Sequence, residues 1–402
     1  MRSRSVEAMN GAGVAVEDLD PLLRAVLTPV PARTAPVVDA LGATLAEPLV
    51  TAAHLPAVDT AAMDGFAVNG AGPRWSLRLG NQVAGRSAGS TLSDGEAIRI
   101  STGAPVPGGT TAVLRREYVH IERAGRCWSL RALPDAPRRN DLRARGESWS
   151  AGVELAPAGA RVDAALMSVA LSAEAPVVAV RGPLRADVLL TGDEIRAAGA
   201  LGPGQVRDAL GAVLPHYLRG CDIECRRIWP MPDDRDLLRS WFALDTDADL
   251  VVSVGGTGRG SADRLRAVLG ELGARILIDG VRVRPGGSQI VAELPDGRTL
   301  LALPGNPLAA VVTLLVTGRA LAGVRTGRRP DPPLWGRIAD AAAPAHGPTR
   351  IVPARQLDGG VWRTHGATRT PHLADLLGAQ ALAVLPAGTG RGALVEIVPI
   401  PR

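Results

Sequence analysis

The sequence predicts a multidomain chain with α/β and β parts, and three patterns carry that prediction. Strand-like and helix-like segments alternate from Ala186 to Leu272, which implies right-handed βαβ units and a mostly parallel sheet in a three-layer α/β/α domain. An apolar run, Leu250 to Val254, leads through Gly255, Gly256, Thr257, Gly258 and Gly260 into a helical pattern; this reads as buried strand, tight loop and helix start. From Ala46 to Asn140, short Val/Ile/Leu runs lie between Gly, Pro and Ser clusters, the mark of a β-rich lobe.

In chain order, Val14 to Leu45 reads as helical, with Asp18, Leu19 and Asp20 opening a Leu-rich segment that Pro29 and Pro31 interrupt. After the β-rich lobe, Asp163 to Leu171 reads as a helix ending before Pro176. The alternating region then gives strands at Ala186–Leu190, Ile223–Ile228 and Leu250–Val254, and helices at Gln205–Leu218, Asp234–Leu244 and Ala262–Leu272. Leu300 to Leu303 is a further short strand; Pro304, Gly305 and Asn306 form a turn, and Pro307 fits the first turn of the apolar helix Leu308–Val316. Thr326 to Pro333 reads as a linker. Strands at Arg350–Val352, Ala381–Leu385 and Leu394–Val398 then predict a small C-terminal β domain.

Composition narrows the function classes. At 402 residues and 46% hydrophobic content the chain can bury substantial cores, and no apolar run reads as a membrane span. The N-terminus carries charge with no apolar segment after it, so the expected compartment is the cytoplasm. Every one of the 45 basic residues is Arg, which excludes lysine Schiff-base chemistry. The net charge of +5 is spread over dispersed arginines with 3% aromatics. That leaves no stacking platform for nucleic acid and favours a small anion. Cys127, Cys221 and Cys225 make an odd, sparse set; Cys221 and Cys225 lack a zinc ligand set and read as buried free thiols, and the six histidines show no metal-ligand spacing.

The two strand–loop–helix passages point backbone N–H groups and positive helix ends at oxyanions. Two such passages in one α/β unit imply a large anionic ligand. Loop carboxylates, Asp64, Asp193, Glu194, Asp233 and Asp263, are the residue types that place a divalent cation. Each also has a purely structural reading: Asp64 as a turn former, Asp193 and Glu194 as caps, Asp233 as the N-cap of the Leu237–Leu238 helix, and Asp263 as a favourable charge at a helix start.

Four separated segments resemble the molybdopterin molybdenumtransferases, which insert molybdate into adenylylated molybdopterin and whose animal relative is the C-terminal domain of gephyrin. They are Ala62-Met63-Asp64-Gly65-Phe66-Ala67-Val68, Arg99 to Pro107 with Thr102, Thr191-Gly192-Asp193-Glu194, and Leu303-Pro304-Gly305-Asn306-Pro307. The resemblance implies a helical linker domain over 1–50 and 141–180, a protruding β lobe over 51–140, a molybdopterin-binding-like α/β domain over 181–326 and a β domain over 327–402. It also implies a homodimer in which Asp64 faces the neighbouring subunit, Mg2+ held by Asp64, Glu194 and Asp233, and molybdate and adenylylated molybdopterin as substrates. The pterin would contact Thr102, the Gly255–Gly260 loop, Ser261, Arg284 and Pro304 to Pro307. Other proteins of molybdenum cofactor synthesis would be partners, with no nucleic acid and no membrane.

Departures from the family pattern keep a second reading open. Ser148 in Arg145-Gly146-Glu147-Ser148 replaces a carboxylate, Ala209 and Leu210 replace two polar residues, Gly258 replaces a hydroxyl that Thr257 or Ser261 would restore, and Gly287 in Arg284-Pro285-Gly286-Gly287-Ser288 replaces a second cation. A catalytically weakened paralogue that binds or hands over the cofactor would look like this. A nucleotide-dependent oxidoreductase built on the glycine loop is a third reading, although Gly256-Thr257-Gly258-Arg259-Gly260 departs from G-x-G-x-x-G spacing.

Overall fold

The computed structural model describes residues 13–87, 91–136, 140–258, 264–340, 343–365 and 372–401. These fall into two compact units. One comprises the residues up to Glu47, Ala158–Ala164 and Val177 onward; the other comprises Pro48–Pro157 and Ala165–Pro176.

The second unit is built on a six-stranded sheet in the spatial order Ala112–Arg115, Gly65–Val68, Glu96–Ile100, Arg74–Gln82, Cys127–Ala132, Val119–Ala124. Its strands alternate, so that Ala67, Ile100 and Val113 fill one core and Phe66, Val68, Trp75, Ala97 and Leu130 the other. Arg115 ties the sheet to the following segment through Asp141, which is 4% exposed and accepts from Nε at 2.7 Å and Nη2 at 3.1 Å.

The first unit holds a six-stranded sheet: β1 (Leu184–Thr191), β2 (Ile223–Met231), β3 (Leu250–Val254), β4 (Arg275–Asp279), β5 (Ile290–Glu293) and β6 (Thr299–Leu303), ordered β2-β1-β3-β6-β5-β4. The β1–β2, β1–β3 and β3–β6 pairings are parallel, whereas β5–β6 and β4–β5 are antiparallel. The sheet is therefore mixed, with three of its five pairings parallel and β5 alone reversed. The antiparallel edge arises because Ile290–Glu293 returns through the short turn Pro295–Arg298 with no helix to cross over. Both faces are covered. Ala186, Val188 and Leu190 of β1 join one core, and Leu189 joins the other with Leu238, Trp241 and Phe242.

A closed five-stranded barrel follows in the same unit: Thr349–Gln356, Val361–Thr364, Leu334–Ile338, Leu394–Pro399 and Ala381–Leu385, which pairs back to Thr349–Gln356. Closure leaves this sheet without the open edges that invite association.

Several sequence expectations are corrected. Between Val14 and Leu45 the α-helix covers Leu19–Val26 alone; Pro29 and Pro31 end it, and Arg33–Pro36 and Thr44–Leu45 pair as strands with Val177–Arg181. The helix expected over Gln205–Leu218 is observed only over Leu214–Arg219, because Val206–Arg207 pairs with Ile195–Arg196 and Asp208 closes a turn onto Leu210 N and Gly211 N. Cys221 is a buried free thiol, whereas Cys225 is half-buried and Cys127 is exposed. Burial pushes the Cys221 thiol up to about 11. Pro307–Thr326 is long and apolar enough to cross a membrane, contrary to expectation, yet 78% of that stretch is buried, as in a core helix. It starts with Asn306 accepting from Ala309 N and Pro307 at its first turn, and ends at Gly327 with φ 70°.

Candidate functional site

The register of the parallel strands sets the geometry of the site. Thr191 of β1 pairs with Met231 of β2, Leu190 pairs with Val254 of β3, and Val254 pairs with Leu303 of β6. Four strands thus end at one level, and the loops that follow them, at Gly192, Pro232, Gly255 and Pro304, emerge side by side. This is where open α/β sheets bind ligands.

The loops interlock. Gly255 N donates to Leu303 O at 3.0 Å, and Thr191 Oγ1 donates to Val254 O at 3.0 Å. Gly255 has φ +95°, and an added Cβ would lie 2.7 Å from Thr191 Oγ1 and 2.8 Å from Thr191 O. Only glycine fits there. Pro304 is buried; Gly305 and Asn306 are exposed, with the Gly305 position 3.7 Å from Gly255 Cα. Asn306 spends its side-chain oxygen on the helix cap, 3.0 Å from Ala309 N.

Thr257 is 2% exposed, and its hydroxyl lies 3.0 Å from Ser288 Oγ. It therefore fastens the glycine loop to the Arg284–Ser288 turn and does not offer the hydroxyl expected in place of Gly258. Arg266 adds a second fastening: Nη1 donates to Gly258 O at 3.2 Å, while Nη2 pairs with Asp279 at 2.7 Å. Sequence reading gave neither Ser288 nor Arg266 a role. Both depend on partners beyond any local pattern. Arg284 is exposed beside Gly286, where φ is +99° and an added Cβ would meet Thr313 Oγ1 at 2.6 Å.

The acidic residues gather on the β1 and β2 loops. Asp233 N donates to Asp193 Oδ1 at 3.0 Å. Asp193 and Glu194 are exposed and Asp233 is half-buried. Burial pushes the Asp233 carboxyl above its ordinary value; Arg264 opposes this, and the neighbouring charges of Asp193 and Glu194 reinforce it. A carboxyl disfavoured by its carboxylate neighbours is one that a cation would relieve.

The helix N-cap is Asp234, whose side chain accepts from Leu237 N at 2.9 Å, and not Asp233. That correction frees Asp233 for the loop cluster. We expect Asp234→Ala to cost about 1 kcal/mol in thermal or urea melts. Asp233→Asn is expected to leave the melting point unchanged and to lower turnover; equal melting losses in the two variants would contradict this division.

Asp208 caps its own turn, accepting from Leu210 N at 2.9 Å and Gly211 N at 2.8 Å. Leu210 is buried, so core packing replaces one of the two polar groups missing here, while Ala209 is exposed. Gly260, Ser261 and Asp263 lie outside the described residues. Among the described residues, no three His, Cys, Asp or Glu side chains converge as a preformed metal cage.

Asp64 and Thr102 belong to the second unit and form a local pair. The Asp64 Oδ1 atom accepts from Thr102 N at 2.7 Å and from Thr102 Oγ1 at 3.0 Å. These bonds, with Arg99 nearby, hold the exposed carboxyl below its ordinary value. It is therefore an ionised, oriented carboxylate at neutral pH. In the same unit, Ser148 Oγ accepts from Arg143 Nη2 at 2.5 Å, and Arg145 N donates to Asp59 at 2.7 Å.

Comparisons with known proteins reach both units. Residues 14–173 match the family model of the MoeA N-terminal region (domain I and II), and residues 187–322 match that of a probable molybdopterin binding domain. The chain is 30% identical over 384 residues to the molybdopterin molybdenumtransferase of a Nostoc species, covering 89% of this chain and 87% of that protein. It is 30% identical over 304 residues to the enzyme of the same name from Haemophilus influenzae, covering 73% of each. A crystal structure of a molybdopterin biosynthesis MoeA protein from Pyrococcus horikoshii superposes with TM-score 0.74 at 23% identity, over 96% of this chain and 99% of that one, and shows the shared fold. From its aligned strand ends to its matched segments, the chain belongs to the molybdopterin molybdenumtransferase family.

Proposed function

We propose that this chain binds adenylylated molybdopterin across the ends of β1, β3 and β6 and converts it, with molybdate, to the metallated pterin and AMP. The observation that supports this reading most is the common level of those strand ends. It sets the Gly255 loop and the helix start at Pro307 beside the Asp193, Glu194 and Asp233 carboxylates.

In this reading the backbone N–H groups from Gly256 to Gly258 hold phosphate oxygens, and the Pro307 helix, whose Ala309 N–H is taken by Asn306, contributes through its positive end. Arg284 takes a further anionic group. The carboxylates Asp193, Glu194 and Asp233 present only hard oxygen donors, without thiolate or imidazole, and that set suits Mg2+. Bound there, Mg2+ would neutralise charge on the phosphates. Asp64, ionised and oriented by Thr102, would act from the lobe of a second copy in a homodimer, completing the set of carboxylates.

A family member lacking one carboxylate is expected to turn over more slowly, and Ser148 tests this. Ser148→Asp places a carboxylate next to Arg143, which already reaches Glu147 at 3.3 Å. We expect single-turnover AMP release, with molybdate and magnesium, to rise about tenfold while pterin affinity changes little. An unchanged rate would remove Ser148 as the cause and with it the weakened-paralogue reading. Restoring a lysine at Gly287 is a poorer test. Its added Cβ would sit 3.0 Å from Val283 O and 3.1 Å from Val281 O, both backbone atoms.

A further inference from the structure

The backbone of the glycine loop is held from one side. Arg266 Nη1 donates to Thr257 O at 3.4 Å and to Gly258 O at 3.2 Å, and Nη2 also reaches Thr257 O at 3.4 Å. The guanidinium is itself locked. Its Nε and Nη2 donate to Asp279 Oδ1 at 3.2 Å and 2.7 Å, with the Arg266 side chain 16% exposed and that of Asp279 23%. Both ends of this clamp stand on rigid elements: Arg266 lies in the helix Arg264–Glu271, which buries Leu265, Val268 and Leu269, and Asp279 closes β4 opposite Ile290 of β5.

The Thr257–Gly258 peptide is trans, and a trans peptide points its C=O and the following N–H in opposite directions. Because the Thr257 carbonyl faces Arg266, the Gly258 N–H is turned to the other side of the chain. Among the described residues, no acceptor takes the N–H groups of Gly256, Thr257 or Gly258, and Gly258 is exposed. A peptide next to glycine flips readily when nothing holds it. Here a flip would break the bonds to Arg266, while the Thr257 hydroxyl stays fixed 3.0 Å from Ser288 Oγ.

We propose that Arg266 is a positioning residue for phosphate binding: by holding the carbonyls of Thr257 and Gly258 it keeps the Gly258 N–H aimed at a phosphate oxygen of the ligand. The proposal rests on the strand-end reading given above. With its charge matched by Asp279, Arg266 acts through the peptide and not as a cation facing the ligand. Lysine is no equivalent, because a single ammonium lacks the planar fork that reaches Asp279 with Nε and Nη2 and the loop with Nη1.

The test uses the full-length protein labelled with carbonyl-13C threonine and 15N glycine, in which only the six Thr–Gly peptides give correlated NMR signals. Gly258→Ala removes the Thr257–Gly258 signal and so assigns it; an added Cβ there meets no atom within 4 Å. The probe is inorganic pyrophosphate with magnesium, which presents phosphate oxygens without a base or a pterin. In the native protein the Gly258 N–H signal is expected to shift saturably. In Arg266→Lys the affinity is expected to fall about tenfold, as for the loss of one oriented hydrogen bond to a charged group, and the Thr257 carbonyl signal of the free protein is expected to move. Native-like affinity in Arg266→Lys, with or without a lower melting point, overturns the proposal and leaves Arg266 a structural part of the loop. Pyrophosphate binding by calorimetry with an unmoved Gly258 signal also overturns it, while the strand-end reading stands. No binding at millimolar concentration overturns both. The native titration needs no substitution at Arg266, so it decides even where Arg266→Lys folds poorly.

Discussion

Glu194→Gln is expected to lower single-turnover AMP release by about a hundredfold or more while leaving the melting temperature within error of the native protein. The substitution keeps the volume of the side chain and removes one charge from the loop after β1. Glu194 is exposed and folds over Gly192, whose Cβ position lies 2.8 Å and 2.9 Å from its carboxylate oxygens, so no core contact is lost. A charge that organises a cation on phosphate contributes mainly as charge develops in the reaction, and losses of two to three orders of magnitude are typical of such groups. The loss should appear in the rate and barely in pterin affinity, because the phosphate donors proposed above are backbone groups. An unaltered rate would remove Glu194 from the chemistry and leave Asp193 and Asp233 as the cluster.

Much of this arrangement was legible in sequence, for a physical reason. Leu250–Val254 and Ala381–Leu385 are buried along their whole length, so their apolar runs mark the strands to the residue. The Pro304–Pro307 turn was legible because Asn before Pro is itself the start signal of a helix. The short strands at Arg33–Pro36 and Val206–Arg207 were not, since their pairing partners are far along the chain or in a neighbouring turn, and no periodicity develops over so few residues. Barrel closure through the Thr349–Gln356 and Ala381–Leu385 pairing is likewise non-local.

The site divides the same way. Asp193 and Asp233 each stood out as loop acids, but their contact across 40 residues follows from Thr191 pairing with Met231, a register that only the folded sheet specifies. The Asp233-Asp234 pair could not be resolved locally, because either residue satisfies the chemistry of an N-cap. The fold chose Asp234, and the choice leaves the more buried Asp233 beside Asp193 and Glu194.

The Met63-Asp64-Gly65 segment joins two demands that substitution can separate, and Gly65→Ala should produce the largest loss of stability. Gly65 lies in a strand hydrogen-bonded on both sides, opposite Arg115 and Ile100. A Cβ at Gly65 would sit 1.9 Å from Leu114 O and 2.9 Å from Leu114 C, both backbone atoms of the neighbouring strand. Relief requires the strands to part at the centre of the lobe, and overpacking of that severity costs about 3 kcal/mol or more. Urea denaturation should show a lower midpoint for the lobe, or little folded protein at all. Asp64→Asn one residue earlier should behave in the opposite way. Its retained Oδ1 can still accept from Thr102 N and Thr102 Oγ1, so the midpoint should hold while magnesium-dependent AMP release falls. A native-like midpoint for Gly65→Ala would mean that Gly65 is not packed against Leu114, and a folding defect in Asp64→Asn would return that carboxylate to a structural role.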